Sequence, residues 1–425
     1  MKVQSVDKLG IGLSVFSPFA GLLRSISRFR SEQSKLLFIL FCVYYGSIFI
    51  YQKQDTRPGL GPDSSHYALL FKEAHSIGNV GFIEFYDKLG DHEKLDYYNP
   101  LIIYLLSRVT GNPHFYFMLV ATIFGFFYAN NIWDVISYCR NRFGALVGII
   151  LIVYSLICTL YTIGGVRMHT GFQVFFFGFF SYLMNGRKNR LIWIPISGLI
   201  HFSLFYLVVV AAIFFMLRNL RSWPFFVFFL IAHLINELDV ATVQRAFSFL
   251  PNSLNLRLSL YAREEDLVLL KETGKFFLGP SNVWARIDVN ILRFFILIFT
   301  SVLFLSSYSE INKSKKLNEL LKFSLLIYGF SLIIANLPSG YRFFSISSMF
   351  FFAFYTIFLN EYYDRISSWV KITLRIAYPF MLIYILRIIR MILDTTNISL
   401  IAGNFFSSFL FDSNGTILDM VKKLL

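Results

Sequence analysis

Acidic residues are scarce in this chain, and so is charge of either sign. Asp and Glu number 25 against 39 Lys and Arg, the four together make up only 15% of the residues, and there are 3 cysteines. Each shortage removes a class of protein. Cys42, Cys139 and Cys158 lie in or beside apolar segments without metal-ligand spacing, so neither a disulfide framework nor a zinc site is expected and they read as packing residues. No GxGxxG, Walker loop, HExxH or CxxC occurs, and no internal repeat, heptad or low-complexity tract stands out. With no compact carboxylate cluster, an obligatory metal is not expected, nor is a cofactor. A charged n-region followed by an apolar run and a small-residue cleavage site is also missing, so no cleaved signal peptide is expected. Two triplets, Asn397-Ile398-Ser399 and Asn414-Gly415-Thr416, match the glycosylation pattern, but such triplets are frequent by chance.

Apolar residues, by contrast, are abundant: 56% of the chain, 51 of them Phe, in a sequence of 425. No soluble chain of this length could hide so much in one core, and the composition predicts an all-α polytopic membrane protein lying in a lipid bilayer. A net charge of +14 would suggest nucleic acid in a soluble domain. Here the basic residues cluster in short turns, as the cytoplasmic loops of membrane proteins do, and no nucleic-acid partner is expected.

Charge and hydropathy together predict about 11–13 transmembrane or re-entrant helices within one integral membrane domain spanning 1–425. The turn around Arg24, Arg28, Arg30 and Lys35 reads as cytoplasmic. Residues 36–51 then cross outward to a first hydrophilic loop, 52–97, whose acidic balance suits the periplasmic side. The apolar run 101–109 is short of the roughly 20 residues a crossing needs and reads as re-entrant. Residues 115–136 and 145–163 cross, and 172–184 descends to the basic Arg187–Arg190 cluster, which leaves Arg167 near the outer face. Residues 191–217 read as a re-entrant hairpin hinged at His201-Phe202-Ser203, since only that keeps Arg218 and Arg221 inside. A larger periplasmic loop follows at 236–288. Arg387 and Arg390, at the outer end of the last crossing, break the rule.

The working centre is expected between Tyr161 and Leu207. An arginine in apolar surroundings costs about 2.5–3.5 kcal/mol at a bilayer centre on insertion scales, so Arg167 is a functional candidate. The plainer account is snorkelling to the headgroups, with His201 capping a turn. On the predicted topology Asp63 and His66 in the first loop, Arg167, His201, and Arg342 in a late tight turn all fall at the outer leaflet. Arginine suits pyrophosphate because its planar fork donates bidentately and keeps its charge, which casts Arg167 and Arg342 as pyrophosphate-binding. Asp63 is the first candidate for a base that removes a sugar hydroxyl proton, with His201 or His66 second; its plainer role is to N-cap the helix that follows. Tyr67, Arg257, Tyr261 and Arg263 are candidate sugar contacts. Trp284 and a helix over 264–273 belong to the same outer loop, where charges are more often simply solvated.

These residues also resemble a family. Asp63-x-x-x-Tyr67, Asn99-Pro100-Leu101 opening a short helix that ends Thr110-Gly111-Asn112, Arg167 opening a helix before a basic turn, His201-Phe202-Ser203, and Tyr341-Arg342-Phe343 are similar to the EpsG/Wzy-type polysaccharide polymerases. The likeness runs from about residue 36 to 359. It implies a GT-C-like membrane glycosyltransferase of the bacterial inner membrane, its active site facing the periplasm, making O-antigen or exopolysaccharide. Such an enzyme transfers a glycan from undecaprenyl pyrophosphate to the sugar of a second lipid-linked repeat unit, and a chain-length regulator protein is an expected partner. Where the family reads Arg-Gln, this chain has Arg167-Met168. Where many members read Glu-Pro-Leu it has Asn99-Pro100-Leu101, which moves the expected base toward Asp63. The rival readings are a lipid-linked oligosaccharide flippase or other transporter, and an O-antigen ligase. Transporters commonly show repeated halves meeting at mid-membrane, whereas the polar groups here collect toward one face.

Overall fold

The computed structural model describes residues 7–50, 63–78, 80–89, 96–234, 283–335, 340–407 and 415–424, with the side chains of 283–289 and 423–424 excepted. All regular structure among them is helical, apart from an isolated bridge between Phe49 and Thr396. Among the described residues six segments are long and apolar enough to cross a membrane: Pro113–Ser137, Ala145–Gly165, Asn290–Asn312, Lys315–Ile334, Gly340–Tyr362 and Ser368–Asp394. The chain is therefore a polytopic helical membrane protein. Two shorter apolar pieces, Phe202–Leu217 and Ser222–Leu234, accompany them. Of the expected loop 236–288, residues 236–282, with Arg257, Tyr261 and Arg263, lie outside the described residues, as do residues 52–62, while 283–288 belong to the helix Val283–Asn312.

The chain divides into two compact units, Met1–Arg140 with Cys158–Val208 and Ile385–Leu425, and Asn141–Ile157 with Val209–Tyr384. The first begins with α1 (Lys8–Phe16), α2 (Pro18–Ser27) and α3 (Glu32–Ser47). Pro18 has no N–H to give an upstream carbonyl, so α1 stops at Ser17 and Pro18 becomes the first residue of α2. Asp7 caps α1, accepting from the Gly10 N–H and pairing with Arg24 at 2.6 Å and Arg28 at 3.6 Å. Both helices are about half a crossing long.

Helix α7 (Pro113–Ser137) runs antiparallel to α3. Close approach explains the glycines: a Cβ on Gly46 would stand 2.5 Å from the Phe117 carbonyl, and one on Gly125 2.4 Å from Cys42. In lipid, where apolar side chains gain little by leaving their surroundings, such small-residue seams supply the packing that joins helices. The free, buried cysteines are part of this core. Between α3 and α7 come α4 (Asp63–Ser76), α5 (Phe82–Lys88) and α6 (Tyr98–Ser107). At ten residues α6 is too short to span.

At the centre of this unit stands α9 (Met168–Asn185), buried without interruption over residues 170–181. Its rings form a ladder, Phe175 on Phe179 (5.7 Å, 13°) and Phe176 on Phe180 (5.0 Å, 12°). Asn131 from α7 donates to the Gln173 carbonyl and side chain at 2.9 and 2.7 Å. Tyr138 and Asn185 are hydrogen-bonded at one end. There α9 closes on Gly186 in a left-handed conformation, φ 68°, and the basic Arg187–Arg190 run follows. Trp133 donates to the Ser31 carbonyl at the same end, so Arg28, Arg30 and Lys35 join that basic rim. Ser47, Pro113 and Arg167 lie at the opposite end, where Phe49 packs on Phe117 at 5.0 Å. The chain returns along α9 as α10 (Trp193–Ile200), bends at His201, and departs as α11 (Phe205–Leu217).

The second unit holds α8 (Ala145–Ile157), most of α11, α12 (Ser222–Leu234), α13 (Val283–Asn312), α14 (Lys315–Ile334), α15 (Phe343–Tyr362) and the greater part of α16 (Ser368–Asp394). Its centre is α15, whose crossing segment is 94% buried, against 17% for the outermost α16. Helices α14 and α15 are antiparallel, with Phe323 on Phe350 at 4.8 Å and the Ser331 hydroxyl donating to the Phe343 carbonyl. Asn141 and Asn360 exchange three hydrogen bonds between side chains and backbone, tying the start of α8 to the end of α15. That end carries Arg142, Arg365, Lys313, Lys315 and Lys316, and Arg342 lies at the other end of α15.

Candidate active site at the head of the buried helix

Each unit is built around one buried helix, and an arginine precedes the first residue of each. Arg167 is the N-cap of α9, one residue beyond the 3-10 turn Leu160–Gly165, and Arg342 is the N-cap of α15 and the last residue of the 3-10 turn Gly340–Arg342. A guanidinium at a helix N-terminus stands against the positive end of the macrodipole, which costs energy unless an anion is close by. For Arg167 one anion belongs to the chain itself. Asp96, fully buried, accepts from Arg167 Nη1 at 2.7 Å through one carboxylate oxygen and from the Phe202 backbone N–H at 2.7 Å through the other. The Arg167 side chain keeps 17% of its surface exposed and lies over the Tyr67 ring at 5.3 Å. Tyr67 is buried, so the ring is a fixed floor under the cation.

The backbone leading to Arg167 is irregular, and buried side chains satisfy it. Helix α8 ends at Ile157, the chain breaks at Cys158-Thr159, and the freed Cys158 carbonyl accepts from Gln173 Nε2 at 2.9 Å. Tyr128 donates to the Thr159 hydroxyl, and Thr170 to the Val166 carbonyl at 2.6 Å. Such breaks are tolerated at membrane depth only where protein groups replace water. Val166 has φ 23° and ψ −58°, a positive φ that a β-branched residue rarely adopts. Strain of this kind costs of order 1–3 kcal/mol and collects at functional sites.

Sequence-predicted residues gather here. Asp63 is the first residue of α4 and is exposed, as is His66 one turn on. Ser64 packs near Gly164, so α4 abuts the 3-10 turn before Arg167. His201 takes an extended conformation between α10 and the short 3-10 turn Phe202–Leu204. Its Nδ1 accepts from the Ser203 N–H at 3.3 Å and pairs with the Ser203 hydroxyl at 2.7 Å. An Nδ1 that accepts from a backbone N–H leaves the proton of the neutral ring on Nε2. Asn99, standing where a carboxylate was expected by resemblance, is buried and accepts from the Tyr116 hydroxyl at 2.5 Å.

Asp63, His66, Tyr67, Arg167 and His201 thus belong to the first unit and to adjoining elements of it. Arg342 belongs to the second. Sequence reasoning missed Asp96, one of eight acids in its loop. The available signal was its place directly before the apolar run of α6, where a loop carboxylate becomes buried and needs a cation. Among the described residues no group of His, Cys, Asp and Glu is arranged to hold a metal. Compared with protein-family models, curated proteins and solved structures, the chain matches none.

Proposed function

We propose that the chain is a membrane-embedded glycosyltransferase, a polysaccharide polymerase that moves a glycan from undecaprenyl pyrophosphate onto the sugar of a second lipid-linked repeat unit. The observation that carries this reading is Arg167 itself. It is a partly exposed guanidinium fixed by Asp96 and Tyr67 at the head of a buried helix, on the end of its unit opposite the basic rim. Positive loops favour the cytoplasm, so this arrangement supports a site open to the periplasm of a bacterial inner membrane. A helix N-terminus and a preorganised arginine together favour the doubly charged leaving group.

In the proposed step the acceptor hydroxyl oxygen attacks the anomeric carbon and the bond from that carbon to the pyrophosphate oxygen breaks. The lipid pyrophosphate leaves with the electron pair, held by Arg167. The hydroxyl proton passes to Asp63, the exposed carboxylate on the adjoining helix. His201, with its proton on Nε2, serves as a hydrogen-bond donor rather than as this base.

Incubating the purified protein with a lipid-linked repeat unit tests the proposal: dimers and longer products on the carrier lipid are expected. In cells, loss of the protein should leave surface glycan capped with a single repeat. Absence of all glycan would point to a flippase instead, and polymer retained on the carrier would point to a ligase. A cysteine at Ser203 should react with an impermeant thiol reagent from outside, and labelling only after lysis would overturn the orientation.

A further inference from the structure

A second polar site lies in the other unit, far along the chain from Arg167 and independent of the glycosyl-transfer reading. At the basic end of that unit, a cavity of about 450 Å³ is lined by Arg221, Trp223, Tyr308, Asn312, Asn318 and Lys322. Lys322 is buried, 6% exposed, its ammonium donating to the Arg218 carbonyl at 2.7 Å and to Glu319 at 3.2 Å. Arg218 reaches the same Glu319 at 3.7 Å, so one carboxylate serves two cations, and Arg221 adds a third positive charge at the cavity wall. The hydroxyl of Ser222 and the amides of Asn318 and Asn312 form a hydrogen-bonded chain along the same wall.

Adjoining it is a groove of about 200 Å³ with a wholly different lining: Ile213, Leu217, Pro224, Phe228, Leu326 and Phe330. Leu220 lines both spaces and is the wall they share. Along α14 the change is stepwise. Asn318 and Lys322 face the polar cavity and Leu326 and Phe330 the groove, at a constant spacing of four that keeps all four side chains on one helix stripe. A single stripe that turns from amide and ammonium to aliphatic and aromatic is shaped for an amphiphile. Trp223, 45% exposed beside Tyr308, supplies the amphipathic rings found at headgroup level.

We propose that this cavity and groove form a binding site for an anionic phospholipid. The phosphate would be held by Arg221 and Lys322 and one acyl chain laid along Leu326 and Phe330. Basic pockets between membrane helices recognise anionic headgroups in this way. A free phosphate would use the cavity but leave the groove without an occupant, and a neutral lipid would use the groove but leave Arg221 without an anionic partner.

Native mass spectrometry of the full chain in neutral detergent, titrated with phosphatidylglycerol, phosphatidylcholine, glycerophosphoglycerol and inorganic phosphate, separates these cases. Phosphatidylglycerol should bind more tightly than phosphatidylcholine, and Arg221→Ala should weaken it about fivefold, the effect of one cation near an anionic headgroup. Glycerophosphoglycerol, which has the headgroup without chains, should compete at least about tenfold less well because the buried acyl methylenes are lost. Equal binding of the two phospholipids, or no effect of Arg221→Ala, would overturn the proposal. So would competition by glycerophosphoglycerol or inorganic phosphate at the same concentration as the lipid, since the site would then be one for soluble anions. Arg221 is exposed, so the variant should fold, and the headgroup comparison needs no variant at all.

Discussion

Asp96 ties Arg167 to the His201 bend, one carboxylate oxygen on the guanidinium and the other on the Phe202 N–H, each at 2.7 Å. The aspartate is completely enclosed, so it makes the position of Arg167 depend on the α10–α11 connection.

Removing the cation would strand that carboxylate. Arg167→Ala should lose about 3–5 kcal/mol of stability, the usual result of breaking a buried pair from one side. Arg167→Lys retains the charge but not the planar fork. It should melt close to wild type while polymer formation falls by about 100-fold, the scale of losing one preorganised charge donor. Thermal denaturation in detergent and product analysis on the same samples separate the two effects. Full activity in the lysine variant would reduce Arg167 to a structural cation.

Arg342 has the corresponding place at the head of α15, and among the described residues it forms no ion pair with a carboxylate. Arg342→Ala should therefore leave the melting temperature nearly unchanged, within the roughly 0.5 kcal/mol typical of sites without buried partners. Activity should fall at least about tenfold. A variant as active as wild type would return Arg342 to the role of a headgroup anchor.

Val166 carries a positive φ with its side chain fully buried. Val166→Ala loses two methyls and keeps the strain, whereas Val166→Gly loses one carbon more and relieves it. The glycine variant should be at least as stable as the alanine variant, a reversal of the ordinary order. The same denaturation measurement checks it, and a glycine variant less stable by 1 kcal/mol or more would mean that the turn stores no strain.

At the N-terminus the Arg24 guanidinium, with help from the Gly10 N–H, holds the Asp7 carboxyl at about 2, below its usual 3.8. A depressed carboxyl contributes stability above its unfolded pKa and loses it as pH falls through the folded value. The advantage of the wild type over Asp7→Asn should thus be complete above pH 4, shrink between about 4 and 2, and vanish below. Melting curves at pH 6, 3 and 2 provide the check, and a gap that does not change with pH would contradict it.

The helical membrane character was legible in the sequence, because hydropathy and composition are properties of single segments. So was the break at His201-Phe202-Ser203, where a polar triplet interrupts an apolar run and the structure places a short 3-10 turn between two helices. Asp96 was not legible. Its importance comes from a partner 71 residues away, and nothing local distinguishes it from the other acids of its loop. The paired use of arginine at the heads of α9 and α15 was half visible. Each residue stands out alone, but that the helix behind each is the enclosed one depends on packing by distant segments. The division into two compact units was likewise invisible, because it follows from contacts between segments far apart in sequence.

The stacked rings of α9 have one more consequence. A rod whose Phe175–Phe179 and Phe176–Phe180 pairs interlock with neighbours on every side cannot slide by a fraction of a turn. Lengthening it by a single residue would rotate its tip by about 100° and swing the guanidinium away from Asp96 and Tyr67. Over evolutionary time, insertions and deletions should therefore be far rarer inside this rod than in the segments that surround it, whatever side chains are exchanged along its length.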